Sequence, residues 1–247
     1  MNRQVHVLLA AIAVLCLATT TSNAATIPLT ESSVIGGSGS LNDDGSLWDG
    51  TADGGIFNGS NITDGSKSEN ENGRQYWLVN TDGAGGDPGY LVIDLGDTYD
   101  IDQIDLYNTH NRGSNNFSTK DFRIDASNSI SFIDANFDMD LSGNIATILS
   151  GTLSETSGED PISTADSFTN ITPHPEQYVR YLKFNSLGGF THADDGPPEV
   201  NYKDNQRGLN EIEVSGTQGA PVPEPSTLVL AALGLLGLLG FTRRRGK

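Results

Sequence analysis

Five short runs that alternate apolar and polar side chains limit the fold more than any other feature. They are YLVIDLG (Tyr90 to Gly96), DIDQIDLYN (Asp100 to Asn108), KDFRIDAS (Lys120 to Ser127), YVRYLKFNSL (Tyr178 to Leu187) and GLNEIEVSG (Gly208 to Gly216). A period of two places every second side chain on one face, the pattern of a half-buried strand. Weaker strand candidates lie at Gly55 to Asn58, Gln75 to Asn80, Ile145 to Ser150 and Phe168 to Ile171. No amphipathic helical window of useful length appears. The 29 glycines, with many Asp-Gly pairs and asparagines, separate the runs by turns. Eight or so short strands joined in this way make an all-β sandwich or barrel. The stretch from Ser38 to Asn72 is so rich in glycine and polar residues that much of it reads as loop. The recurring Asp-Gly pairs read as turns and not as a solenoid repeat.

The two ends read as addresses. MNRQVHVLLAAIAVLCLATTTSNAAT places Arg3 before an apolar stretch from Val7 to Ala18 and ends in small residues, the layout of a secretory signal cleaved after Ala24 or Ala25. Cys16, the 1 cysteine, lies inside this leader, so the mature chain has no disulfide or thiolate chemistry. At the far end Thr227 to Phe241 is uncharged and mostly apolar. As a helix it would reach roughly 22 Å, short for a hydrocarbon core of about 30 Å. Arg243, Arg244, Arg245 and Lys247 follow and would stay on the cytoplasmic side. Pro223, Glu224 and Pro225 precede the span as part of a stiff spacer. The segment reads as a halt in the membrane before processing.

VPEPSTLVLAALGLLGLLGFTRRRGK resembles the PEP-CTERM sorting signal of Gram-negative bacteria: tripeptide, short span and basic tail in that order. The resemblance implies handling by an exosortase, a membrane protease that cleaves near the tripeptide and passes the protein toward the cell surface or matrix. The expected organisation is a signal peptide over 1–25, a glycine-rich and polar opening over 26–60, a β-domain over 61–217, a linker over 218–226, the span over 227–241 and a basic tail over 242–247.

Without leader and tail, 9 of the 14 Lys and Arg remain against 32 Asp and Glu, a net charge near −23. Such a field opposes nucleic acid and anionic lipid as partners and suits cations, although most of the acids read as solvated surface.

The strand runs carry a second resemblance. GYLVIDLGDTYDIDQIDLYN, then TKDFRIDAS, YVRYLKFNSLGG and GLNEIEV, follow the strand order of discoidin domains of the factor V and VIII type, from near Asn61 to Gly216. The implied fold is a galactose-binding-like jelly-roll β-sandwich. In carbohydrate-binding modules of this kind a structural calcium is held by an early Asp-Gly turn and a glutamate near the last strand, which falls on Asp64 in NITDG and Glu211 in LNEIEV. Calcium takes six to eight oxygens, many from backbone carbonyls that such a turn presents. The same residues also read as an ordinary turn aspartate and a surface glutamate. Here SKSENENGRQYW delays to Trp77 a tryptophan that the family places sooner.

Sugar sites combine planar hydrogen-bonding groups with an aromatic face. YNTHNRGSNNF offers Asn108, His110, Asn111, Arg112 and Asn115 after a strand, with Asn116 and Phe117 beyond. It resembles the corresponding loop of fucose-binding lectins, which puts Arg112 in the place of their gripping arginine; their second arginine is missing, its place falling near Ser118 or Thr119. The plain alternative is a long turn whose arginine pairs with an acid. A later loop with Phe190, His192, Tyr202 and Arg207 is a second candidate rim. Nothing marks a hydrolase: no nucleophile elbow, no His-Glu-x-x-His helix, and three scattered histidines at His110, His174 and His192. The expected function is carbohydrate or exopolysaccharide binding without catalysis. A structural matrix protein is the first rival, and a hydrolase with an unrecognised carboxylate pair the second.

Overall fold

The computed structural model describes residues 24–38, 51–52, 55–56, 59–67, 77–80, 89–109, 118–132, 139–155, 164–190 and 206–219. The leader up to residue 23, the Pro-Glu-Pro motif and the whole C-terminal span lie outside them. Among the described residues no helix is long and apolar enough to cross a membrane.

Among the described residues fourteen strands form, all pairing antiparallel. The first four are β1 (Ala25–Thr26), β2 (Val34–Ser38), β3 (Thr51–Ala52) and β4 (Gly55–Ile56). A 3-10 turn, Gly59–Thr63, leads on to β5 (Trp77–Asn80) and β6 (Gly89–Tyr107). Next come β7 (Asp121–Ser127), β8 (Ser129–Phe132), β9 (Met139–Ser142) and β10 (Ala146–Thr152). The last four are β11 (Asp166–Phe168), β12 (Val179–Ser186), β13 (Gln206–Leu209) and β14 (Glu211–Gln218).

The organising element is β6. Its 19 residues absorb two of the sequence-predicted strands. The first half pairs with β2 and β12, and β12 continues to β7 and β10. Its second half pairs with β14 and β11, and β1 closes the edge of β14. Between the halves Gly96 has φ +81, in the left-handed region that favours glycine. Asp94, two residues earlier, receives the Gly96 N–H at 2.8 Å and a two-pronged bond from Arg180 at 2.9 Å on each oxygen. One strand thereby serves both layers of an antiparallel sandwich.

Alternation along β6 explains the packing. Leu91, Ile93 and Leu95 face the main core with Ile104 and Leu106, while Tyr90 and Val92 face a small second core with Leu141. Phe122, Ile124 and Ala126 of β7, Leu182 and Phe184 of β12, and Ile212 and Val214 of β14 fill the main core. Trp77 is fully buried there, edge-on to Phe184 at 6.0 Å, and Phe122 meets Phe168 at 5.2 Å. Trp77 is thus a core residue.

Three elements differ from the sequence expectation. The run Gly208 to Gly216 divides at Asn210 into β13, which pairs with β5, and β14, which pairs with β6. β8 and β9 form a hairpin over the second core that the sequence hides, because only Ile130 and Leu141 pack inward while Phe132 is exposed. The stretch assigned to loop contributes the Gly59–Thr63 turn, whose Asn61, Ile62 and Thr63 are buried. The chain enters the sheet from Ala25, which pairs with Gly216, at the boundary expected for leader cleavage.

Candidate functional site

Two polar constellations stand out. The first is built on the turn after Thr63. The Thr63 hydroxyl donates to the Thr30 carbonyl at 2.8 Å and anchors the turn to the N-terminal segment. Gly65 adopts φ +80, and the Asp64 carboxylate accepts the Ser66 N–H at 2.6 Å, so the Asp-Gly pair closes on itself. Opposite, Glu211 opens β14 with only 3% of its surface exposed. Its Oε2 is buried without a hydrogen-bond partner. Burial, and then the negative charge of Asp64, push the Glu211 carboxyl up to about 9, against the pull of the Gly65 N–H. Asp64 is itself raised, by burial first and by Glu31 as well, with the Ser66 N–H opposing.

The pair expected from the sequence, Asp64 and Glu211, is therefore brought together. Among the described residues neither carboxylate forms an ion pair: Lys67, the cation whose charge reaches Glu211, is bonded to Glu213 at 2.7 Å and to the Tyr107 hydroxyl at 2.8 Å. A buried carboxylate oxygen with no partner must hold a proton or a cation. Among the described residues, Asp64 and Glu211 present carboxylate oxygens of the kind a hard cation takes, with Glu31 beside Asp64. Among the described residues no group of three or more metal-ligating side chains forms, so a complete shell would draw on backbone oxygens of the turn.

The second constellation lies where β6 ends. Asn108 is 2% exposed. Its Nδ2 donates to the carbonyls of Thr119 at 2.7 Å and Ser154 at 3.2 Å, and its Oδ1 accepts the N–H groups of Thr119 and Thr109, both at 3.1 Å. That side chain ties the end of β6 to Thr119, and its amide is occupied by the protein. His110, Asn111, Arg112 and Asn115 lie outside the described residues, as do His192 and Tyr202. The bonding continues sideways: the Thr119 hydroxyl bonds the Ser186 hydroxyl at 2.9 Å and the Gly208 carbonyl at 2.8 Å, and Ser118 bridges to Gly208.

Arg207 stands on this platform. Its Nη1 donates to the Ser186 carbonyl at 3.1 Å, its Nε is buried without a partner, and burial lowers its pKa. Lys120 begins beside Thr119, with its Nζ 6.0 Å from the centre of the Phe190 ring. Sequence reasoning placed Phe190 and Arg207 on a rim but missed Lys120, which reads as the first residue of a strand. The signal that would have found it is its position directly after Ser118 and Thr119, which bond to Asn108 and Gly208.

Residues 61–180 match the family model described as NedA-like, galactose-binding domain, of the F5/F8 type C group. Residues 221–245 match the PEP-CTERM protein-sorting motif. No curated protein matches the chain by sequence. Among solved structures, the family 32 carbohydrate-binding module of Clostridium perfringens NanJ, determined in complex with galactose, is 16% identical with a TM-score of 0.46, covering 78% of this chain and 99% of that one. A module from a family 31 glycoside hydrolase of C. perfringens is 16% identical with a TM-score of 0.45, covering 77% and 96%. The C-terminal domain of a Bacteroides fragilis chitobiase is 19% identical with a TM-score of 0.46, covering 79% and 100%. The sorting motif implies export, processing by an exosortase and sorting to the surface. The chain is a PEP-CTERM sorting-motif protein that carries a galactose-binding-like domain of the F5/F8 type C kind.

Proposed function

We propose that the sorted protein binds carbohydrate of the envelope or extracellular matrix at the loop end of the sandwich, without cleaving it, and that Asp64 and Glu211 hold a structural calcium ion. The observation that carries the binding reading is the match of residues 61–180 to a galactose-binding family, in a chain whose last residues direct it to the surface. The role of the fold is positional. Asn108 and Thr119 are bonded to each other, which fixes the described chain on either side of the segment that contains His110, Asn111, Arg112 and Asn115. Calcium, when bound, supplies positive charge to two clustered carboxylates. Glu211 and Asp64 then tie the start of β14 to the Gly59–Thr63 turn, and the unpartnered Oε2 of Glu211 is the observation behind this assignment.

A glycan array probed with the full chain, read beside an assay for released reducing sugar, tests the proposal. Binding of galactose-type glycans without sugar release supports it. Self-association or polysaccharide gelling without binding of any glycan supports the matrix-protein reading, which the acid excess favours. Release of reducing sugar would make the protein a hydrolase.

A further inference from the structure

We propose that the loop-end site takes a saccharide bearing a carboxylate, a uronic acid or similar sugar acid, with Arg207 and Lys120 as the residues that receive the anion beside the Phe190 ring. The inference rests on the carbohydrate-binding reading and adds the charge class of the ligand.

The argument begins with the pairing of cations. The whole chain has 32 acidic residues and 14 Lys and Arg, so a basic side chain finds a carboxylate easily. Among the described residues, Lys67 pairs with Glu213, Arg123 with Asp125, Arg180 with Asp94 and Lys183 with Asp140, at 2.6 to 2.9 Å. Lys120 and Arg207 form no ion pair with any described residue. Both stand on the same platform: Lys120 follows Thr119, and Thr119 is bonded to Gly208, the neighbour of Arg207.

Two described carboxylates beside the Lys120 segment, Asp121 next in sequence and Asp166 through Ser154, are committed elsewhere. Asp121 accepts the Thr152 hydroxyl at 2.9 Å, and Asp166 receives the Ser154 N–H at 2.6 Å and its hydroxyl at 2.7 Å. Asp121 follows Lys120 in an extended segment, where successive side chains point to opposite faces. Arg207 is the more telling of the two cations. It is half-buried, one arm is fixed on the Ser186 carbonyl, and its Nε is buried with no partner among the described residues. A guanidinium held in this way is a preorganised fork for a planar anion. Phe190 supplies the flat apolar surface against which a sugar ring packs, with a cation already over it.

The test is calorimetric titration of the full chain at fixed calcium with galacturonate, glucuronate, the methyl ester of each, and galactose. The ester keeps the ring and removes the charge. One sugar acid is expected to bind about tenfold more tightly than its own ester, the size of one charge-assisted hydrogen bond. Arg207→Gln should bring that ratio near one, and Lys120→Gln, at an exposed position that cannot unfold the domain, should lower it as well. Equal binding of acids and esters alongside bound galactose would overturn the anionic class and leave the carbohydrate reading intact. A ratio that survives both substitutions would overturn the assignment of these residues. Failure of all five ligands to bind would overturn both proposals.

Discussion

Glu211 has the most informative titration of any single residue in the structure. Unfolded, its carboxyl titrates near 4.5; folded, it is pushed up to about 9. Between those values the native state keeps a proton that the unfolded state has lost. Stability from this group is therefore complete below about pH 4.5 and declines as pH rises toward about 9. In chelator, Glu211→Gln is expected to flatten that decline and raise the unfolding midpoint at alkaline pH. The same substitution should abolish any calcium-induced rise in the midpoint. An alkaline decline in chelator that persists in the variant would show that another group causes it. Asn108 makes a contrasting prediction. Its four bonds tie the end of β6 to Thr119, and Asn108→Ala strands buried groups of Thr119. The expected cost is about 3 kcal/mol, measured by denaturant titration. The sequence names Asn108 as a candidate, but an asparagine before a polar loop reads equally as ligand or clamp, and only its bonding partners separate the two roles.

At the level of elements, β6 carries the architecture through Gly96. The space around its Cα is open, so a side chain would meet no clash and the penalty comes from φ alone. Gly96→Ala should cost about 1–2 kcal/mol by equilibrium unfolding, the penalty for a left-handed backbone with a Cβ. A neutral result would mean that the corner relaxes to an ordinary strand conformation. The same residues explain what the sequence concealed. LGDTYD reads as a turn between two strands because Gly-Asp marks turns. Pairing with β12 before it and with β14 after it carries the strand through instead. The five strong alternating runs all become strands because each buries a continuous face in one core. The β8 and β9 hairpin escapes notice because it covers only a small outer cluster and leaves Phe132 in solvent.

On the scale of the whole molecule, charge and address fit one another. A strongly acidic chain that ends in a sorting motif is suited to an exposed, repulsive surface, and the match to a galactose-binding family gives that surface a binding function to test. The Asp64 and Glu211 pair was legible because a resemblance aligned two distant stretches, 147 positions apart in sequence, that no local pattern connects. That Lys120 and Arg207 pair with no carboxylate among the described residues was not legible, since ion pairing depends on which carboxylates the fold brings near. The Asp64→Ala variant, measured with and without calcium, should lose the calcium response while keeping the fold, because its side chain contributes one local turn bond.

The measurement that bears most directly on the central claim is thermal unfolding of the full chain with calcium present and a panel of neutral and acidic monosaccharides. A ligand at about 100 times its dissociation constant stabilises the native state by about 2.7 kcal/mol, which moves the midpoint by several degrees. A rise of that size with one class of sugar is the predicted result. An unchanged midpoint across the whole panel, at concentrations where calcium alone raises it, would contradict carbohydrate binding and leave a metal-stabilised matrix module in its place.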